Sequence, residues 1–536
     1  MTTSTTEDPA GASAGATTVT LTSPPRKHRN TRVILYSLII ALAACSFGFD
    51  QSETGGFLAM PAFNKDFGSY DPVTETYVIS ARHQTLMYGV EVAFIAIGSV
   101  AAGFISMYKG RKFGLYLCAI ATIIGAGLQM IAHYVPMVVG RAIMGLGIGF
   151  AAAFSIAYWS EIAPAHLRGR IVIFYQFFLN LANFVGSCID QGTHSMLNRW
   201  AYRAPLLTMM GPALLMLALV WIIPESPRYL VAQDQSEKAR TNLRKIRGPS
   251  YTDAEVEEEI AETIKFTALE KELDASTSYL DCFRGADRRR TLIAVLMMVG
   301  QQFMGVAFLA GYMTYFFALV GFTNAFVVSV ITNAVAIGGT VAAFPIVTYL
   351  GRRRTMIVGA FINAFCMLSF ASISVAHPGS KAAARCLITF ICIFSFTYSA
   401  TWGSIGPIVM GEVPSNRLRS KTVSIALCLS FLMALVVITS IPYLIGAAYL
   451  NLGTKIGFVF GGLTVLVWIA TMLYLPETKD RTLEEIDEMF LTRVPARGFR
   501  TYVCTHQVAG YDLTGDMKED GIIHTEYQLT PKAGAV

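Results

Sequence analysis

The chain has 536 residues, of which 54 % are hydrophobic and only 15 % charged, with a formal net charge of +6. An ordinary soluble domain carries about 25 % charged residues. A composition this apolar, with 34 Phe, 23 Tyr and 22 Met, excludes a disordered chain, a coiled coil and an ordinary soluble enzyme, and it points to a polytopic membrane protein.

Residues 1–25 are mostly Thr, Ser, Ala, Gly and Pro, so a disordered N-terminus is expected over 1–32. The first apolar run begins after Arg32, too late for a signal peptide. Six runs long enough to cross a bilayer follow near 33–57, 85–106, 113–132, 135–158, 171–191 and 203–223. Six more lie near 291–319, 323–349, 355–376, 385–411, 420–446 and 455–475. In lipid the backbone must satisfy its own polar groups, so these runs are helices. The expected fold class is all-α: twelve transmembrane helices in two six-helix halves, 33–223 and 291–475. Between them, in the polar segment 224–290, Val256, Ile260 and Ile264 recur among glutamates, the pattern of an amphipathic surface helix. The tail, 476–536, is polar. Lys and Arg concentrate before the first run and in alternate short loops, as in Arg26, Lys27, Arg29, Arg32, Lys109, Arg111, Lys112, Arg168, Arg170, Arg352, Arg353, Arg354, Arg417, Arg419 and Lys421. That bias predicts a multi-pass protein of the cell membrane with both termini cytoplasmic. The positive charge then reads as topology, and no nucleic-acid partner is expected.

The halves repeat. Gly110-Arg111-Lys112 follows the second run, and Gly351-Arg352-Arg353 the eighth. Glu161 with Arg168 follows the fourth, and Glu412 with Arg419 the tenth. Pro224-Glu225-Ser226 ends the sixth, and Pro476-Glu477-Thr478 the twelfth. Three signals in one order at nearly one offset mark an internal duplication. Two related six-helix halves suit alternating access around a central site.

These motifs, with Gly48-Phe49-Asp50, Pro224-Glu225-Ser226-Pro227-Arg228-Tyr229, Gln301-Gln302-Phe303, Trp402-Gly403, Arg417-Leu418-Arg419 and Pro476-Glu477-Thr478-Lys479, resemble the sugar porter branch of the major facilitator superfamily over residues 33–490. The run from Gly311 to Phe317 and the segment Val494-Pro495-Ala496-Arg497 are similar to fungal members, including α-glucoside and lactose permeases. The resemblance implies a secondary transporter that imports a sugar (hexose, disaccharide, or a related polyol or glycoside) by proton symport. Its partners would be that small molecule, protons and the lipid bilayer. Two rivals are an exporter of a fungal secondary metabolite on the same fold and a non-transporting sugar sensor. The polar tail is short for a signalling receptor.

Asp50 sits well inside the first run, where a charge costs about 2.5–3.5 kcal/mol on insertion scales. Arg141, the only cation within the fourth run, is its natural partner. The residues alone allow a static ion pair or a proton carrier. Proton-coupled sugar porters pair an acid with an Arg at the matching positions, so the resemblance implies coupling. Glu91 is a second intramembrane acid that the family pattern does not explain. A sugar offers many hydroxyls and no charge, so its site needs neutral groups that donate and accept beside an aromatic face. Gln176 and Asn183 share one face of the fifth helix, Gln301 and Gln302 lie in the seventh, and Trp402 in the tenth. Lone amides also serve as contacts between helices. The resemblance implies sugar binding at Gln176, Gln301 and Gln302, with Asn183 and Trp402 as further candidates. Two positions depart from the hexose pattern: Ala307 stands where an Asn is expected, and Gly403-Ser404 and then Pro407 where a Trp is expected. Both departures fit a larger or less polar substrate.

Glu161, Arg168, Glu412 and Arg419 sit beside Arg111 and Arg352, with Glu225 and Glu477 closing each half. Salt bridges between the halves are expected to hold the cytoplasmic side shut. Where the family has an acid three residues before each loop glycine, this chain has Met107 and Thr348, so the gate is differently tuned. Gly145, Gly147 and Gly149 read as close helix packing. The nine cysteines form no CxxC pair, and no Walker loop or His-Glu-x-x-His motif occurs. No catalytic chemistry, cofactor or metal is expected.

Overall fold

With no water to hydrogen-bond the backbone inside a bilayer, each long apolar run closes its amides on itself as a helix. In the computed structural model the first half runs through Thr31–Ala59, Ala81–Lys109, Arg111–Gln129, Tyr134–Ile162, Arg168–Thr193 and Trp200–Leu219, here spans 1 to 6. The second half is Gly285–Phe303 with Val306–Leu319, Ala325–Leu350, Arg352–Ala376, Lys381–Ala400 with Trp402–Glu412, Arg419–Ile445 and Ile456–Tyr474, spans 7 to 12. The structure describes residues 31–502 except 73–74, 163–167, 276, 320–323, 378–379, 416 and 447–448, and side chains at 168–172, 269–270, 273–275, 319, 381 and 483–484 are also outside the description. The expectation of disorder over 1–32 concerns residues outside those described, except for Thr31 and Arg32, which already belong to the first helix; the side chain of Arg168 is also outside the description.

Eleven helices among the described residues are long and apolar enough to cross a membrane. The twelfth place belongs to span 5, part of which lies outside the described side chains. Its Gln176, Asn180 and Asn183 face the centre of the bundle, and Asp190 is buried. A short antiparallel hairpin, Ser69–Asp71 with Thr76–Val78, joins spans 1 and 2.

Packing glycines set the first half. A Cβ on Gly145 would run into the backbone carbonyl of Glu91, one on Gly149 into that of Ile95, and one on Gly147 would meet Ala121 Cβ at 3.1 Å. Span 4 thus lies flush against spans 2 and 3, as expected of small residues at a membrane helix interface. Arg141 is one turn before Gly145, so this close approach brings its guanidinium up to Glu91. Spans 7 and 10 are broken. Span 7 turns at Met304-Gly305, where Gly305 has φ +82°, and span 10 turns at Thr401.

The segment between the halves folds as Pro227–Ala232, Ser236–Arg247 and Asp253–Ala275. Val256 and Ile260 pack on Leu230, Val231, Ala239 and Leu243, while Ile264 is exposed. The three-helix patch is only two turns deep and covers just the first part of the predicted face. Arg247 ties it to span 4 by donating to the Ile162 carbonyl at 2.8 Å. After span 12 the helix Leu483–Leu491 docks on the start of span 7 through an Arg290–Asp487 ion pair. Burial pushes the Asp487 carboxyl above the usual range, and Arg290 opposes that shift.

Candidate substrate and proton site

A cavity of about 250 Å³ lies between the halves, lined from spans 1, 2, 5, 7, 8, 10 and 11. Its wall is mainly apolar and aromatic, with Phe47, Tyr88, Phe394, Tyr398 and Phe431, and it is studded with amides and hydroxyls. Gln176 donates to Asn180 Oδ1 at 3.2 Å, and Asn180 crosses to the second half, donating to Thr340 Oγ1 at 2.7 Å and Ser399 Oγ at 3.4 Å. Asn333 crosses the other way, to Ser187 Oγ at 2.6 Å and Asn183 Oδ1 at 3.3 Å. On the far wall Gln301 donates to the Trp402 carbonyl at 2.8 Å, and Gln302 donates to Ser430 Oγ at 3.4 Å. All of these amides face the cavity. Such a set can exchange its internal hydrogen bonds for those of a polyhydroxylated guest without burying a charge.

The charged groups sit on one edge. Arg141 is fully buried, and its Nη1 donates to Asp50 Oδ1 at 2.8 Å, to Glu91 Oε2 at 3.1 Å and more weakly to Thr54 Oγ1 at 3.4 Å. The guanidinium carbon lies 5.0 Å from the centre of the Tyr88 ring and 5.9 Å from that of Phe57, positions where an aromatic face attracts a cation. Asp50 and Glu91 open on the cavity.

Residues 36–490 match the family model described as sugar (and other) transporter. The chain is a member of the sugar porter family of the major facilitator superfamily. It is 31 % identical to "Major facilitator-type transporter ecdD" of Aspergillus rugulosus over 87 % of this chain and 88 % of that one. It is 30 % identical to "Low-affinity glucose transporter HXT3" of Saccharomyces cerevisiae over 93 % and 90 %. Among solved structures it is similar to the E. coli proton:xylose symporter XylE bound to 6-bromo-6-deoxy-D-glucose, with a TM-score of 0.72, 22 % identity, and coverage of 86 % of this chain and all of that one. That likeness fixes the twelve-helix fold.

Within this sugar porter the sequence-predicted residues divide. Asp50 and Arg141 meet, and Gln176, Asn183, Gln301 and Gln302 line one cavity. Trp402 does not. Its ring is fully buried and donates from Nε1 to the Met356 carbonyl at 3.0 Å, so only its backbone reaches the site, through Gln301. The break at Thr401 turns the ring away from the cavity and into the span 7–span 9 side of the half. Ala307 does line the cavity, and Pro407 does not.

Among the described side chains, the expected loop ion pairs of Arg111 and Arg352 form inside the halves and not between them. Arg111 binds Glu161 at 2.8 Å and Arg352 binds Glu412 at 2.8 Å, each pair inside its own half. Glu225 accepts the backbone amides of Arg111 at 3.0 Å and Lys112 at 3.2 Å. Glu477 accepts those of Arg352 at 2.8 Å and Arg353 at 3.2 Å. Each of these acids caps the exposed N-terminus of the helix after its loop glycine, where the free amides and the helix dipole favour an anion. Burial pushes the Glu225 carboxyl up, and these amides pull it back. Arg419 acts on Asp487 of its own half. For Arg111 and Arg352 the physical reason is reach: each lies at a helix start beside an acid on another helix of the same half. Near these loops the halves meet instead through apolar groups, with Ile173 packed on Ala343 and Ile408, and Phe174 edge-on to Phe344 at 5.6 Å. At the opposite end Tyr88 meets Tyr312 at 5.9 Å and His194 stacks on Phe326 at 4.4 Å.

Sequence reasoning missed Asn180, Asn333 and two acids. Glu53 is fully buried with neither carboxyl oxygen hydrogen-bonded, and Asp190 is buried beside Gly56. Glu53 stands one turn beyond Asp50, and Asn180 one turn beyond Gln176, so helical spacing was the signal available for both.

Proposed function

We propose that this protein is a secondary transporter that imports a sugar or glycoside across the cell membrane by proton symport, with both termini in the cytoplasm. The observation that carries the reading is the fully buried Arg141 held by Asp50 on the edge of an amide-lined cavity. Outer water protonates Asp50, its ion pair with Arg141 loosens, and that loosening permits closure around the bound substrate. On the inner side the proton leaves and Arg141 recaptures the carboxylate. Gln176, Asn183, Gln301 and Gln302 hold the substrate's hydroxyls, and an aromatic wall receives its C–H face. Glu161 with Arg111, Glu412 with Arg352, and the capping acids Glu225 and Glu477 keep each half stiff while it rocks about the site; Arg168 and Arg419 belong to the same loops. The likeness to the proton:xylose symporter XylE supports the coupling.

Val306, Ala307 and Ala310 give one cavity wall no polar group, which favours a guest with an apolar side over glucose and keeps export of a less polar metabolite as the second reading. The test is uptake of labelled glucose, maltose, lactose and xylitol in cells lacking their own transporters, with and without a protonophore. Accumulation that the protonophore abolishes is expected for one of these, with glucose not the best competitor. Uptake that ignores the protonophore and Asp50→Asn alike would overturn proton coupling, and no uptake of any of the four would favour export.

A further inference from the structure

We propose that Asp50 and Glu91 act as one proton-sharing carboxyl pair on Arg141, so that the transported proton belongs to the pair and not to Asp50 alone. This rests on the proton-symport reading above and adds a residue to it. Both carboxyl groups take their hydrogen bond from the same nitrogen, Arg141 Nη1, at 2.8 and 3.1 Å. Sharing one donor at those distances holds the two carboxyl groups beside each other. Two carboxylates at that separation repel, whereas a carboxyl and a carboxylate attract through a proton held between them. Charge counting leads to the same arrangement. One guanidinium balances one carboxylate, and a second uncompensated charge at this depth is costly.

The groups around the pair do not change this count. Tyr88 of the same span and Tyr312 of span 7 act on Glu91. Glu53 of span 1 reaches the pair through Asp50 and Arg141, with Asp190 of span 5 behind it. These additions are neutral hydroxyls or further acids, and none supplies a second cation. The step balances simply. Water on one side gives a proton to two carboxylates facing one guanidinium, so a net charge of −1 becomes neutral. The only bond formed is one carboxyl O–H, and the same proton leaves to water on the other side. Because both acids open on the cavity, either can receive the proton while the other stays on Arg141. The pair therefore keeps the buried cation matched throughout the cycle, which a single acid could not do once protonated.

The experiment is infrared difference spectroscopy on the purified full chain at neutral pH, reading the C=O stretch of protonated carboxyl groups. Glu91→Gln and Asp50→Asn should each remove one and the same band, because the acid that remains ionises against Arg141. The double variant should remove no more than either single one. A band lost in Asp50→Asn but kept in Glu91→Gln would overturn the proposal by fixing the proton on Asp50. A band lost only in Glu91→Gln would overturn it by fixing the proton on Glu91. Glu91→Asp keeps a carboxyl and serves if the glutamine variant does not fold: a shared proton then shifts in frequency, and one held by Asp50 alone does not. Proton coupling itself is read separately, from medium alkalinisation on adding the accumulated sugar to cells. The symport reading fails, whatever the infrared shows, if the parent chain gives no such signal; in Asp50→Asn the signal should be lost. If it is lost while the infrared bands behave independently, symport stands and the shared proton is wrong.

Discussion

In the first half Arg111 binds Glu161, and Glu225 caps the helix that starts at Arg111; in the second half Arg352 binds Glu412, and Glu477 caps the helix that starts at Arg352. The loop glycines match as well, with φ +85° at Gly110 and +83° at Gly351, and a Cβ at either would strike the capping carboxylate. The centres of the same two halves share almost nothing. The first holds a buried arginine among Asp50, Glu53, Glu91 and Asp190 in continuous helices. The second holds Gln301, Gln302 and Ser430 around two broken ones. Backbone explains the contrast. The loop ends are fixed by a left-handed glycine and four free amides, which leave little choice of side chain. The centres face a cavity, where side chains are free to change with their task. Duplication has preserved the parts that hold each half together and left the buried charges in one centre, with cavity amides in both.

The sharpest way to break that contrast is to remove the charge. Arg141→Gln leaves Asp50 and Glu91 without their cation, and breaking a buried pair in this way costs about 3–5 kcal/mol. Gln302→Ala in the other centre removes one long neutral bond, worth about 1 kcal/mol. Thermal melts of the two variants in detergent should differ accordingly, with Arg141→Gln by far the lower. Equal melting temperatures would mean that the charged centre is no more tightly held than the neutral one.

A second test sharpens the difference in helix continuity. Gly305→Ala asks a side chain to adopt φ +82° and places its Cβ 2.8 Å from Phe460 Cγ. The left-handed conformation alone costs about 1–2 kcal/mol. Gly103→Ala in span 2, where a Cβ meets nothing within 4 Å, should instead be neutral or slightly stabilising, because alanine is the better helix former. The expected outcome is a lowered melt and slowed uptake for Gly305→Ala only. A neutral result there would mean that the bend in span 7 is set by its neighbours and not by the glycine.

What the sequence made legible follows the same division. The spans, the duplication and the Asp50–Arg141 pair could be read because the bilayer charges heavily for polar backbone and isolated charge. The cavity amides could be read because a polar side chain in a membrane helix has few places to point. Glu53 and Asp190 were not read, although both stand in apolar runs, because attention to one acid and one arginine leaves no room for four acids on a single cation. Trp402 was misplaced because a break at Thr401 rotates everything after it, and no residue pattern announces that rotation. The loop ion pairs were assigned across the halves because partner choice depends on distances that linear spacing does not contain.

The smallest expected effect tests the matched ends. Glu161 is 7 % exposed and Glu412 is 25 % exposed, so each pair is only partly wet and is worth on the order of 1 kcal/mol. Glutamine keeps a neutral acceptor for the arginine, which reduces the loss further. Because each pair lies inside one half, Glu161→Gln and Glu412→Gln should loosen a loop on its own body without opening the seam between bodies. That seam rests on Ile173, Ala343 and Ile408. A cysteine introduced near Ser420 should therefore label at nearly the parent rate in Glu412→Gln, and faster in Ile408→Ala, where buried apolar contact between the halves is lost. If Glu412→Gln alone raised labelling about fivefold, the full 1 kcal/mol of the pair would be acting on the opening itself. The pair would then have to exchange partners across the seam during the cycle, and the symmetry of the two ends would describe one conformation and not the transporter as it works.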